Sequence, residues 1–169
     1  RILTLLGVDP GVSLDSKDAR AAYRLSPAEY RRGLARLKLA AMLAFSFPGS
    51  PTVFYGDEAG MQGFEDPLNR GTYPWGKENQ TLLEHFRSLG KLRRDQEALR
   101  LGDIQFFEAG NKHIGFTRSY KGRTFRIYCN RSGDPWEIPT HRLYFGVNMK
   151  IIAKDHLTIG PRGFCITEE

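Results

Sequence analysis

The stretch from Gly56 to Asn79 concentrates the side chains of this sequence that could do chemistry: Asp57, Glu58, Phe64, Asp66, Arg70, Tyr73 and Trp75. Two carboxyl groups can share acid–base work on one bond when they face it from both sides. Asp57 and Glu58 are neighbours behind a short apolar run, and neighbours on an extended chain point to opposite sides. They are therefore expected to hold adjacent loops by hydrogen bonds or ion pairs, not to flank one bond. Asp66 and Arg70 suit a different task. A carboxylate accepts hydrogen bonds and a guanidinium presents a rigid fork of donors, so the pair could grip a polar substrate from two sides. The bland alternative is an Asp–Arg pair that only staples the loop; substrate contact is favoured. Phe64, Tyr73 and Trp75 could offer flat apolar faces to a ligand ring. For Trp75 a place in the core of the loop is expected instead.

The elements around this stretch are well marked. Ser26 is a helix-capping residue, Pro27 suits the first helical position and Glu29 closes a capping box. The helix should run to about Phe45 and end at Pro48-Gly49. Its second half, LKLAAMLAFSF, is apolar almost all round, which implies burial on most sides. Thr52 to Tyr55 reads as a short strand covered on both faces. A second helix is expected over about Gln80 to Asp95, with Leu82, Leu83, Phe86, Leu89 and Leu92 on one stripe. The opening RILTLLG is an apolar run that starts abruptly, and a loop should follow from Val8 to Leu25. Buried helix, turn and buried strand together are the pattern of a parallel α/β sheet, whose working loops follow the strand ends. A doubly covered strand needs neighbours to pair its backbone. The first half of the chain offers no other candidate, so the remaining strands are expected in residues outside this chain.

From Leu99 the texture changes. Short β-type runs such as DIQFFEAG, HIGFTRSY, TFRIYCNR, HRLYFG, MKIIAK and GFCITEE are separated by Gly, Asn, Asp and Pro. They predict an antiparallel all-β sandwich. The expected division is therefore 1–98 for the α/β part and 99–169 for the β part.

Composition narrows the function classes. The chain has 169 residues, 40% hydrophobic, which suffices for one domain or two small ones. Its net charge of +6 is spread along the sequence and reads as a solvated basic surface. Cys129 and Cys165 sit in strand-like runs and are expected to be buried free thiols. The histidines are scattered, so neither a metal site nor a cofactor is expected. No apolar run is long enough to span a membrane, and a cytoplasmic protein is expected. KGRTFRIY, Lys121 to Tyr128, echoes an RNA-binding strand motif, but Arg123 stands where that motif needs an aromatic, so no nucleic-acid partner is expected.

One resemblance draws these readings together. PGSPTVFYGDEAGM (Pro48 to Met61), DPLNR (Asp66 to Arg70) and YPW (Tyr73 to Trp75) resemble the last barrel strand and its loop in the alpha-amylase superfamily of glycoside hydrolases. The likeness is greatest to the neopullulanase, cyclomaltodextrinase and maltogenic-amylase group, and it covers Arg1 to about Arg94. It implies an α/β fragment, the last strand and helices of a TIM-type barrel, followed by the antiparallel β-sandwich known as domain C. It implies a retaining two-carboxylate mechanism on α-glucans, with catalytic residues upstream and none in this chain. Asp66 and Arg70 match the family's Asp-Pro-x-x-Arg motif, which holds glucose on the non-reducing side of the cleavage point, and Tyr73 is the adjoining aromatic candidate. Gly71 departs from the family, which commonly has a second Arg there. The implied partners are an α-glucan oligosaccharide and the rest of the barrel, with dimerisation through the apolar helix face as one way to cover exposed surface. A non-catalytic carbohydrate-binding or structural β module is the alternative.

Overall fold

The computed structural model describes residues 1–139, 141–154 and 156–169. It contains two compact units, one made of residues 1–41 and 52–89, the other of residues 42–51 and 90–169.

The first unit is helical. It holds α1 (Ile2–Gly7), α2 (Lys17–Ala22) and the greater parts of α3 (Pro27–Ser46) and α4 (Gln80–Asp95). Its core is Leu3, Leu25, Leu37 and Leu82, with Leu34 and Phe86 packed against them. Apolar burial of this kind contributes roughly 1.5–3 kcal/mol per large side chain. Helices α1 and α3 meet at glycines. A methyl group on Gly33 would stand 2.8 Å from the Leu3 carbonyl, too close for any side chain. Arginines of α3 then close the end of α1: Arg32 donates to the Gly7 carbonyl from Nε (3.1 Å) and Nη2 (2.6 Å), and Arg36 donates to Leu6 O at 2.8 Å. These are helix-terminal carbonyls with no partner inside the helix.

The capping box forms as the sequence indicates. Ser26 N donates to Glu29 Oε2 at 2.8 Å, and Glu29 N donates to Ser26 Oγ at 3.3 Å. Glu29 also accepts from Tyr23 OH at 2.6 Å and from Asp9 N at 2.9 Å. The Tyr23 bond, then the Ser26 and Asp9 amides, hold its carboxyl down at about 2. His85 lies buried on α4, its Nε2 3.0 Å from Lys38 O, and burial pushes its imidazole down to about 4. Both groups are lowered by folding, so the unfolded chain takes up their protons first as pH falls. The stability tied to His85 is therefore expected to drain away between about pH 6.5 and 4, by on the order of 2–3 kcal/mol, and that tied to Glu29 below about 4.5. Unfolding midpoints followed by circular dichroism across this range check the claim; a flat profile between pH 6.5 and 4 contradicts it.

The opening apolar run, given no element in advance, holds α1 from Ile2 to Gly7. Two expectations for this unit need correction. The expected loop from Val8 to Leu25 contains α2, whose Ser16 cap accepts from Ala19 N at 3.0 Å; none of its residues is buried, so it carries no apolar stripe to betray it. The strand at Thr52 to Tyr55 is absent. Val53, Phe54 and Tyr55 are 38–44% exposed, and every strand among the described residues lies beyond Gly102. A strand exists through its ladder, and no described strand stands beside this segment.

The second unit carries the sheet. After α5 (Glu97–Leu101) come β1 (Asp103–Ala109), β2 (His113–Tyr120), β3 (Arg123–Asn130), β4 (Trp136–Pro139), β5 (Arg142–Ile151) and β6 (His156–Glu168). All pairings are antiparallel, as the sequence predicts. The two sheets of a sandwich are replaced by one connected sheet in the order β1-β2-β3-β6-β4, with β5 also on β6. The reason lies in β6. Its first half pairs with β4 (Ile138 opposite Leu157) and its second with β3 (Ile127 opposite Ile166). The change falls at Gly160 to Gly163, where Arg162 has a φ of 58° and a methyl on Gly163 would lie 2.5 Å from Asn148 O. Such a bulge lets a strand bend and serve two neighbours.

The middle of the sheet is covered on both faces, while β1 and the ends of β5 are exposed. Tyr128, Ile138, Leu157, Ile159 and Cys165 form one cluster. Phe116, Phe125, Ile127, Phe164 and Ile166 are fully buried, with Phe47 packed on Phe116 at 5.1 Å between ring centres. This double burial commits Phe125 and Tyr128, which point to opposite faces of β3, to the core. Cys129 and Cys165 are free and buried, their thiols pushed up to about 12 by burial. Two buried arginines complete the unit. Arg93 donates to the carbonyls of Phe45 (2.7 Å), Phe47 (3.1 Å), Leu99 (2.7 Å) and Gly49. Arg118 donates to Gly102 O from Nε and Nη2 and to Ser46 O from Nη1.

Candidate functional site

The loop from Gly56 to Asn79 has no helix or strand, yet it is tied down along its length. Gly56 turns the chain at a φ of 85°, with Ala59 N and Met61 N both donating to its carbonyl. A side chain is excluded there, since a methyl would fall 2.1 Å from Met61 Sδ. Thr4 Oγ1 accepts from Gly63 N at 3.0 Å, and Gln62 Oε1 accepts from Leu25 N at 2.8 Å. Tyr55 OH donates to Gly71 O at 3.0 Å. At the far end Asn79 caps α4, its Oδ1 accepting from Leu82 N at 3.0 Å.

Asp66 and Arg70 are brought together on this loop. Arg70 Nε lies 2.6 Å from Asp66 Oδ1, and Arg70 Nη2 donates to Oδ2 at 3.0 Å, a two-pronged pair. Their side chains are 58% and 69% exposed. An exposed ion pair contributes about 0–1 kcal/mol to stability, so its effect on folding is small. Its geometry fixes a planar fork at the surface, with further N–H groups and carboxylate lone pairs facing outward from the mutual bonds.

Tyr73 is joined to Trp75, the rings 4.5 Å apart and tilted by 49°. Burial, with the nearby Glu58 carboxylate next, raises the Tyr73 phenol above its ordinary value. Trp75 is 80% exposed, which overturns its expected place in the loop core. It sits in a tight turn in which its own N–H donates to Tyr73 O at 2.9 Å, so the indole is backed on one side by Tyr73 and open elsewhere. Phe64 is engaged with Tyr23, edge to face at 6.1 Å.

Asp57 holds the loop as expected, but from a turn and not from an extended chain: its N–H donates to Phe54 O. Its carboxylate pairs with Arg1 at 3.4 Å, and that guanidinium also lies 4.4 Å from the centre of the Phe54 ring. Burial raises the Asp57 carboxyl above the usual range. Among the described residues no group of three or more His, Cys, Asp or Glu could hold a metal ion, and no helix is long and apolar enough to cross a membrane.

Nothing in the sequence pattern marks a cleft of about 340 Å³ lined by Arg20, Arg24, Gln62, Gly63, Leu68 and Gly71. It joins α2 residues to loop residues some forty positions away, so no local spacing could announce it.

No family model matches the chain. Curated relatives do. A cyclomaltodextrinase from Geobacillus thermopakistaniensis is 38% identical over 108 residues, 62% of this chain and 18% of the relative. An amylopullulanase from Thermoanaerobacterium thermosulfurigenes is 36% identical over 172 residues, 94% of this chain and 9% of the relative. Among solved structures, the debranching enzyme of Nostoc punctiforme superposes with a TM-score of 0.70 at 27% identity, over 85% of this chain and 32% of that one. The chain thus spans about a third of the length of that structure and under a fifth of the two curated relatives. These relatives are glycoside hydrolases that act on α-glucans, and the chain is similar to a part of each. The chain belongs to the alpha-amylase superfamily, as part of its C-terminal region.

Proposed function

We propose that this chain is the part of an α-glucan hydrolase that completes the catalytic barrel and supplies sugar contacts on the non-reducing side of the cleaved bond. In this reading residues 1–98 end a (β/α) barrel and residues 99–169 are domain C. Thr52 to Tyr55 becomes the last barrel strand once neighbouring strands flank it; the exposed Val53, Phe54 and Tyr55 supply the apolar surface for that contact. The nucleophile and general acid of a retaining mechanism come from residues outside this chain. Asp66 and Arg70 hydrogen-bond one glucosyl unit, and Tyr73 gives it an apolar wall. The observation that carries the proposal is the exposed, two-pronged Asp66–Arg70 pair on a tethered loop.

The chain on its own is expected to release no reducing sugar from maltodextrin above a heat-inactivated control, while the intact gene product does so. A reducing-end assay on both preparations decides the matter. Turnover by the isolated chain would place the reacting carboxylates within it.

A further inference from the structure

We infer that Tyr30 is a positioning residue: its phenol closes the neck of the loop and so sets where Tyr73 stands. This rests on the proposed sugar contact. The loop leaves and returns at one point. Asn79 N donates to Ala59 O at 2.9 Å, so the residue that ends the loop is bonded to the one before Gly60. Tyr30, in the first turn of α3, reaches this neck from outside. Its OH donates to Gly60 O at 3.4 Å and accepts from Asn79 Nδ2 at 3.3 Å. A hydroxyl carries one proton and two lone pairs, so this single group serves both ends of the loop.

The contact is close. Gly60 turns at a φ of 80°, and a methyl on it would lie 2.5 Å from Tyr30 OH and 3.1 Å from Asn79 Cβ. The phenol oxygen therefore rests against the glycine backbone, and this packing fixes two bonds that are long by themselves. Core packing explains only part of the residue. The Tyr30 ring packs against the leucine core of its unit, a task that phenylalanine performs as well. The hydroxyl is what that packing leaves over, and its partners are the two ends of the loop.

From the neck the path to the site is short. Asn79 Oδ1 caps α4 by accepting from Leu82 N at 3.0 Å. The Asn79 amide is thus held at both ends, its oxygen by α4 and its nitrogen by Tyr30. Between Tyr73 and Asn79 the chain makes a closed turn, with Lys77 N donating to Pro74 O at 2.8 Å. A shift of Asn79 is therefore passed on to Tyr73, the proposed apolar wall.

The test uses the intact enzyme with a maltooligosaccharide. Tyr30→Phe keeps the ring and removes the hydroxyl. It is expected to lower kcat/KM about three- to tenfold, mostly through KM, with the unfolding midpoint little changed; that is the worth of one or two neutral hydrogen bonds. In a Tyr73→Ala background the same substitution is expected to lower kcat/KM by less than about twofold, because a positioning residue has no effect once the residue it positions is gone. Asn79→Asp is the second variant. It keeps the helix cap but draws the single phenolic proton from Gly60 O to the new carboxylate, and it is expected to reproduce the Tyr30→Phe loss. Unchanged kcat/KM in both variants overturns the inference. So does an equal loss from Tyr30→Phe with and without Tyr73, which marks a general structural role. The outcome is separable from the proposed function: if Asp66→Ala, Arg70→Ala and Tyr73→Ala impair turnover while Tyr30→Phe does not, the role of the neck alone is wrong. If those three leave turnover intact, the sugar contact itself fails and the Tyr30 inference falls with it.

Discussion

Replacing Arg118 by leucine is expected to lower the unfolding free energy by about 3 kcal/mol or more, with a matching fall in the denaturant midpoint. Arg118 is fully buried, and its guanidinium serves two carbonyls at once, Gly102 O from Nε (3.2 Å) and Nη2 (2.8 Å) and Ser46 O from Nη1. Ser46 closes α3, where carbonyls lack helical partners and the helix dipole favours a cation. Leucine fills much of the space but leaves both oxygens without donors in the interior, at a cost of roughly 1–3 kcal/mol each. Burial, and then the charge of Arg93, already push the Arg118 guanidinium down from its ordinary value, so this cation is held there against an electrostatic cost. Lysine keeps the charge but not the fork, and one ammonium cannot reproduce three bonds to two oxygens. Arg118→Lys should therefore recover less than half of the loss. A leucine variant within 1 kcal/mol of the parent would show that water or backbone rearrangement satisfies those carbonyls.

The same contrast between local and distant causes explains what could be read in advance. Helices α3 and α4 were legible because their signals are local: the Ser26–Glu29 box, Pro27, and a leucine stripe from Leu82 to Leu92. Helix α2 and strand β4 were not. The first buries nothing, and the second is four residues long and ends in a proline. The antiparallel character of the β unit followed from its turn-separated runs. That these runs form one sheet depends on the Gly160 to Gly163 bend in β6, a tertiary event that alternating patterns do not encode. Thr52 to Tyr55 illustrates the converse. Its composition favours a strand, yet strand pairing needs partners, and here the side chains stand exposed. For the site, the Asp66–Arg70 spacing was enough to foresee the pair. The exposure of Trp75 was not, because it depends on the tight turn at Tyr73 to Trp75.

In the intact enzyme, Asp66→Ala and Arg70→Ala are each expected to lower kcat/KM on a maltooligosaccharide about ten- to a hundredfold while moving the unfolding midpoint little. The two alternatives for this pair, sugar grip and loop staple, assign the energy to different processes. As a staple, the pair is an exposed ion pair contributing about 0–1 kcal/mol to folding, and its loss should appear in stability alone. As a sugar grip, each side chain makes charge-assisted hydrogen bonds to hydroxyls, which contribute about 1.5–3 kcal/mol, and 1.4 kcal/mol is tenfold. Arg70→Lys separates geometry from charge. It retains the cation beside Asp66 but cannot span two neighbouring hydroxyls in a plane, so it should lose nearly as much activity as Arg70→Ala. The double variant Asp66→Ala/Arg70→Ala should fall short of the product of the single effects, because removing either residue already frees the other from its fixed position. Kinetics unchanged in both single variants would remove the pair from the site. A loss of stability that accounts for the loss of activity would return it to the role of a staple.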